Sequence, residues 1–365
     1  MAAQGRKTLM AKPAVMRKML AFRRRVQAGR YGLQLLELNY DNRCNFRCEH
    51  CFSRYLATDA PRLTLDDVAR LADQAHALGV WQWHLQGGEP LTWPDLDQVL
   101  AAIGPQRFHI MITTNGWLMT QERAAQLAEL GVDKISVSID SADPAEHDAF
   151  RRRPGSWERA RRALFAARDA GMQANLNTVV TRQNVRGQGL EELVCFAEAN
   201  GFTVLLVVAT SAGAWAGRTD MCITEDDARF LEAMRGRYPG IHRDLWPLFD
   251  VQWGCRTVNG LVYVTENGEV LPCPFIHISL GNVLREPLAD ILRRGWRVRA
   301  FRDHNPRCLA GEDRDFIARF MVRQEPGAGP RSFAEAFTEA DLYPEQPLGL
   351  GDENEQARPR GAQED

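Results

Sequence analysis

Six short apolar runs, separated by amphipathic stretches, set the limits on what residues 33–208 can become. They are LQLLELN (around 34–40), WQWHLQ (81–86), FHIMIT (108–113), KISVSI (134–139), ANLNTVV (174–180) and FTVLLVV (202–208). The stretches between them read as helices. LTLDDVARLADQAHALG opens with Thr64 as a cap and carries Asp66 and Asp67 in its first turn, where carboxylates suit the positive end of the helix dipole. Gly79, Gly104, Gly131, Gly171 and Gly201 each stand just ahead of a strand, where glycine accommodates the left-handed residue that commonly closes a helix. Strands alternating with helices at this spacing imply parallel βα units. Six units over ~175 residues suit a partial (β/α)6 barrel better than an open sheet, so the expected class is α/β. In either architecture ligands gather at the C-terminal ends of the strands.

Outside the repeat the pattern changes. Residues 1–32 form a basic arm, with nine Lys or Arg and no acid in the first thirty positions. Its segment AVMRKMLAFRRRVQAGR reads as a helix. A solvated arm packed on the acidic body is preferred over a membrane surface or nucleic acid as its partner. After the barrel, expected over 33–210, residues 211–254 read as a linker (SAGAWAGRTDMC) and a helix (TEDDARFLEAMRGR). A small α+β unit is expected over 255–324. In its LVYVTENGEVLPC, Asn267-Gly268 between two β-like runs signals a two-residue hairpin, and EPLADILRRG (286–295) reads as helical. Residues 325–365, rich in Pro, Gly and acids, read as a mobile tail. No stretch approaches the ~20 apolar residues that span a bilayer, and no secretory signal is evident. A cytoplasmic, reducing location is expected. Eight cysteines there serve as metal ligands, core residues or reactive thiols rather than disulfides.

Three of them stand within eight residues, CNFRCEHC at 44–51, directly after the first strand and hence on the ligand-binding rim. Thiolates hold zinc or iron–sulfur clusters. A closed zinc site takes four protein ligands, and His50, adjacent to Cys51, is awkwardly placed to be the fourth. Three cysteines on a four-iron cubane leave one iron open to a ligand. An open cluster, a zinc site and incidental cysteines all stay in view.

The spacing C-x3-C-x-aromatic-C after the first strand of a βα repeat resembles the radical S-adenosylmethionine (SAM) superfamily, with His50 at the aromatic position. Gly87-Gly88-Glu89-Pro90 after the second strand is similar to that family's GGEP motif. Thr114-Asn115-Gly116 follows the third strand, Ser138-Ile139-Asp140-Ser141 closes the fourth, and Asn177 lies on the fifth. The resemblance implies a 4Fe-4S cluster bound by Cys44, Cys48 and Cys51 together with exchangeable SAM. It also implies SAM contacts at Gly87, Gly88, Glu89, Asn115, Ser138 and Asn177, with Glu89 and strand-edge carbonyls receiving the methionine ammonium. Arg151, Arg152 and Arg153 read as a solvated charge run and are left out of the site. The implied chemistry is reductive cleavage of SAM to a 5′-deoxyadenosyl radical that abstracts hydrogen from a substrate carbon.

Cys255, Cys273 and Cys308 form a second set; the first two fit C-x12-G-x4-C around Gly268. This resembles the SPASM/twitch extension, which binds auxiliary iron–sulfur clusters. The full pattern has seven cysteines with a C-x2-C-x5-C run. Here only Cys308 occupies that region and position 311 is Gly, so one auxiliary 4Fe-4S cluster is expected. Its fourth ligand stays open among Cys222, His277, His304, Asp313 and the substrate, and zinc or simple packing remain alternatives. Cys195, inside EELVCFAEA, reads as a core residue. The molybdenum-cofactor cyclase is set aside, because its tight C-x2-C pair and Gly-Gly end do not occur in this sequence. The expected reaction is oxidation or rearrangement of a small polyol, sugar or nucleoside. The alternatives are a maturase of a ribosomally made peptide or protein and a non-catalytic metal-bearing nucleic-acid binding protein. Expected partners are a small-molecule or peptide substrate and a reductant such as flavodoxin or ferredoxin; nucleic acid is not favoured.

Overall fold

Each of the six runs becomes a strand in the computed structural model, which describes residues 12–28, 32–246, 254–321 and 327–344. They are β1 (Leu35–Leu38), β2 (Gln82–Leu85), β3 (His109–Thr114), β4 (Lys134–Ser138), β5 (Gln173–Val180) and β6 (Thr203–Val208). They pair in parallel in chain order, and the short β7 (Ile241–His242) adds to β6. The intervening helices are α2 (Leu65–Ala77), α3 (Leu96–Ile103), α4 (Gln121–Glu129), α5 (Pro144–Arg151), α6 (Ser156–Asp169) and α7 (Gln188–Ala199); α1 (Pro13–Gln27) precedes β1. Thr64 and Asp67 form a reciprocal capping box on α2. The five expected closing glycines have φ between +72° and +88°.

Strand alternation decides what faces the barrel interior. Leu36, Trp83 and Ile110 occupy one register row and are fully buried in the core beneath the helices, Trp83 edge-on to Phe108 at 5.3 Å. The alternate row, Glu37, His84 and Met111, carries the interior side chains. Within WQWHLQ, Trp83 therefore packs outward and His84 inward.

The second module is continuous with the barrel. β8 (Leu261–Val264) pairs in parallel with β1, and β9 (Glu269–Leu271) returns antiparallel to it through a turn in which Gly268 has φ +80°. β10 (Gly281–Asn282) ends a ten-stranded sheet ordered β10-β9-β8-β1-β2-β3-β4-β5-β6-β7, whose central strands form the partial barrel. The hairpin forms where expected, but its turn runs over residues 265–268, closed by Gly268 N–H to Thr265 O at 2.9 Å, rather than over Asn267-Gly268 alone; its docking beside β1 was not legible. The remaining helices are α8 (Glu225–Arg237), α9 (Leu288–Arg297), α10 (Arg299–Arg302), α11 (Arg314–Phe320) and α12 (Phe333–Ala336).

Three expectations are corrected. Residues 211–222 are not a loose linker: Trp215 is buried against His50 and Phe150, and Ala214 N–H donates to the Cys51 carbonyl at 3.0 Å. Residues 327–344, within the expected tail, fold onto the body. Their aromatics do this, with Phe337 packing on Phe301 and Phe320, and Arg319 pairing with Asp341. The rest of that tail lies outside the described residues. Cys195 is exposed on α7 rather than in the core, its thiol 3.6 Å from the Tyr238 hydroxyl.

The basic helix α1 covers the N-terminal end of the strands. Val15, Phe22 and Val26 cluster with Trp81, and Lys12 Nζ reaches Asp133 at 2.5 Å and the Gly131 carbonyl at 2.8 Å. Its apolar face is occupied by the body, as the packed-arm reading expects. Among the described residues no helix is long and apolar enough to cross a membrane.

Candidate functional site

The segment after β1 is pinned before it can present its cysteines. Asn42 N–H donates to Glu266 at 3.0 Å, and Glu89 N–H donates to the Arg43 carbonyl at 2.8 Å. Gly88 is required by this approach: a β-carbon there would stand 2.1 Å from the Arg43 carbonyl oxygen. The glycine therefore seats the cysteine loop, in addition to any approach of a ligand. Glu89 is buried and its carboxylate accepts from Thr114 Oγ1 (2.6 Å), Asn115 N–H (2.7 Å) and Leu91 N–H (3.1 Å). It thus ties the turn after β2 to the turn after β3. Burial pushes it up to about 7 even against these three donors.

Cys44, Cys48 and Cys51 line one cavity of about 300 Å³ at the C-terminal strand ends. Gly87, Gly88, Glu89, Asn115, Ser138 and Asn177 line the same cavity, so the structure brings all six expected contact residues together with the three thiols. Each sulfur has a polar neighbour: Phe46 N–H to Cys44 at 3.4 Å, Arg151 Nη1 to Cys48 at 4.0 Å, and Ser53 Oγ beside Cys51 at 3.7 Å. Hydrogen bonds to sulfur tune a thiolate-held cluster. Burial raises the Cys48 thiol, the penalty that a bound cation reverses. Among the described residues no group of three or more His, Cys, Asp or Glu converges tightly enough to hold a single metal ion.

Arg151 was passed over in the sequence. It is buried, donates to Asp140 at 2.6 and 3.2 Å, and so points at Cys48. Desolvation opposes its charge, but Asp140 holds it well above its ordinary value, and Arg151 in turn lowers Asp140. The signal was helical spacing: His147 and Arg151, four apart on α5, share its buried face. Asp140 also accepts Val179 N–H at 2.9 Å, so its place is beneath the arginine. Arg152 is exposed near Glu49, as a solvated charge would be, and Arg153 is half-buried over Trp117. His50 stacks on Phe150 with centroids 4.4 Å apart, which explains why an aromatic ring suits that position.

A second cavity, of about 310 Å³, adjoins the first, and Phe275 lines both. Beside it the second cysteine set converges from three segments. Cys273 is pushed up by burial and then by Cys255; Cys308 is pushed up by burial and by Cys255 and Cys273. Cys255 N–H donates to Asn305 O at 2.7 Å, and Cys308 N–H to Glu312, itself paired with buried Arg243 at 2.9 Å. Of the fourth-ligand candidates, Asp313 is committed to capping α11, accepting from Phe316 N–H at 3.0 Å, and His277 lines the second cavity. Cys222 is raised by burial and answers next to Arg314, whereas the His304 ring lies against Gly254, next to Cys255.

The Radical SAM superfamily model matches residues 38–194, and an iron–sulfur cluster-binding domain model, SPASM, matches residues 255–310. The chain is 30% identical to PqqA peptide cyclase of Streptomyces rochei over 293 residues, covering 73% of this chain and 77% of that one. It is 27% identical to AdoMet-dependent heme synthase of Nitratidesulfovibrio vulgaris over 311 residues, covering 76% and 84%. Among solved structures it shares the fold of Streptococcus suis SuiB bound to S-adenosylmethionine, with TM-score 0.58 and 22% identity. That match spans 72% of this chain and 65% of SuiB.

Proposed function

Because the chain belongs to the radical SAM superfamily and carries a SPASM extension, we propose that this enzyme oxidises a residue of a ribosomally made peptide or protein. Its cofactors are SAM, a 4Fe-4S cluster and auxiliary iron–sulfur; bound together they supply the 5′-deoxyadenosyl radical and an acceptor for a second electron. The reading that it is a non-catalytic nucleic-acid binding protein falls with this membership. The observation carrying the substrate class is the 30% identity to a peptide cyclase across both modules. The cavities agree with it. A drug-sized ligand fills ~300–1,000 Å³, so SAM occupies most of the first cavity, and the second offers room for residues flanking the reacting one. The small polyol, sugar or nucleoside placed first by sequence finds no counterpart in either of these two relatives. The likeness to heme synthase supports a second reading, a tetrapyrrole substrate.

In this proposal Cys44, Cys48 and Cys51 hold the cluster and Arg151 donates to the Cys48 sulfur. Backbone groups of Gly87 and Gly88 meet the methionine end of SAM, while Glu89 holds Asn115 in place. Ser138 and Asn177 orient the nucleoside. His50, Phe150 and Trp215 wall off water. Cys255, Cys273 and Cys308 hold one auxiliary cluster, with His304 or the substrate as the fourth ligand. A flavodoxin or ferredoxin supplies electrons. Eight cysteines outside any disulfide support a reducing, cytoplasmic location.

The test combines the anaerobically reconstituted enzyme with SAM and reductant and offers it, in separate arms, any short peptides encoded near its gene, sugars and a tetrapyrrole. A peptide should lose two hydrogens in mass as 5′-deoxyadenosine forms. Unchanged peptides, with 5′-deoxyadenosine formation stimulated only by sugars or a tetrapyrrole, would sink the peptide reading.

A further inference from the structure

Below the cofactor cavity, the barrel interior holds a chain of side-chain hydrogen bonds that the reading above leaves without a role. His84 Nδ1 meets Glu37 Oε1 at 2.9 Å, and His84 Nε2 meets Thr113 Oγ1 at 2.8 Å. Asn177 Nδ2 donates to Thr113 Oγ1 at 3.3 Å, which directs the threonine hydrogen to His84 Nε2. The imidazole is then the Nδ1–H tautomer donating to Glu37. Glu37 is 7% exposed, and its second oxygen has no hydrogen-bond partner. An unpartnered buried carboxylate oxygen is costly and calls for a reason. Thr113 and Asn177 line the cofactor cavity, so the chain leads from its floor into the barrel wall.

The other end of this chain points toward the auxiliary module. Glu37 stands in register between His84 on β2 and Tyr263 on β8, the strand that leads through the hairpin to Cys273. Its charge reaches both Tyr263 and Cys273. Both His84 and Glu37 hydrogen-bond to groups other than the cysteines. Among the other titratable groups lining the cavity, Glu89 accepts from three donors, Arg151 donates to Asp140, and His50 is stacked on Phe150.

We propose that the Glu37–His84 pair is a proton acceptor coupled to reduction of the auxiliary cluster, reached from the substrate through the Thr113 hydroxyl. The proposal rests on the oxidative reading above. A substrate that has given one hydrogen atom to the 5′-deoxyadenosyl carbon still holds one electron and one proton to lose. The electron goes to the auxiliary cluster. The proton goes to Thr113 Oγ1 as the threonine hydrogen moves to His84 Nε2, leaving an imidazolium beside the Glu37 carboxylate. The positive charge thus arrives on the side of the barrel where the negative charge has been added. The groups facing His84 are Glu37 from β1, Thr113 and Met111 from β3 and, beyond Glu37, Tyr263 from β8; Lys134 of β4 stands next to Met111 in the same register row, with His109 one step below.

The test needs no substrate: redox titration of the reconstituted protein from pH 6 to 9, following the auxiliary cluster by electron paramagnetic resonance. If reduction draws a proton onto His84, the auxiliary potential falls as pH rises, by up to ~59 mV for each tenfold change in proton concentration. His84→Gln and the shape-preserving Glu37→Gln should flatten that slope, while His109→Gln, another barrel histidine, should keep it. Iron content confirms that each variant has folded. A pH-independent wild-type potential, or a slope that survives both His84→Gln and Glu37→Gln, would overturn the proposal. Failure of the peptide assay leaves this slope untouched, so the two ideas fail separately.

Discussion

The two cysteine triplets are built in opposite ways. Cys44, Cys48 and Cys51 sit on one loop, within eight residues of one another, and the fold pins that loop against Gly88, Ala214 and, at Asn42, the Glu266 carboxylate of the β8–β9 turn. Cys255, Cys273 and Cys308 come from three segments that meet only when β8 has paired with β1 and β9 has turned back. A local site of the first kind is written into spacing. A site of the second kind is written into topology, and its ligands are dispersed among residues that read as packing. The first should therefore survive damage to the second.

Cys273→Ser tests that dependence most severely. Iron should fall from ~eight to ~four atoms per chain, one 4Fe-4S cluster being lost, while the remaining cluster still responds spectroscopically to SAM. Loss of both clusters would break the comparison.

The scaffold of the first site can be examined in the metal-free chain. Arg151→Met leaves Asp140 buried beside an apolar chain. Removing one partner of a buried pair costs ~3–5 kcal/mol, to be read in denaturant midpoints. Glu89 gives a pH signature of similar or smaller size. Burial raises it from 4.5 to about 7, so the folded chain binds its proton more tightly than the unfolded one. Its contribution is then most favourable below the unfolded value near 4.5. Stability falls as pH rises toward 7, by an amount on the order of 3 kcal/mol. Urea titrations should show that decline relative to Glu89→Gln, and equal slopes in the two proteins would contradict it. The smallest effect belongs to a cysteine of neither triplet. Cys195→Ala, on the exposed face of α7, should change stability by no more than ~0.5 kcal/mol and leave the iron content as it was.

Legibility in the sequence follows the same division. All six strands, the capping of α2 and the closing glycines could be read because each depends on neighbours a few residues away. The cavity residues were named through the family resemblance, motif by motif; Gly87, Gly88, Glu89 and Asn115 follow strand ends, whereas Ser138 closes β4 and Asn177 lies within β5. Arg151 was missed because a run of three arginines looks solvated until α5 is placed, with one face turned inward. The packing of 211–222 was missed because its small residues suggest looseness, when Gly213 in fact lets the chain lie against Cys51 and Phe52. The aromatic residues of 327–344 were hidden among prolines and glycines. The pairing of β8 with β1 joins residues more than two hundred positions apart, and no local pattern encodes it.

The most direct measurement is electron paramagnetic resonance of the reduced, anaerobically reconstituted protein, recorded before and after SAM is added. Two iron–sulfur signals should be present, only one of them should change with SAM, and 5′-deoxyadenosine should accumulate. A spectrum indifferent to SAM, or a protein holding a redox-silent ion at Cys44, Cys48 and Cys51, would contradict the open-cluster site on which all the chemistry depends.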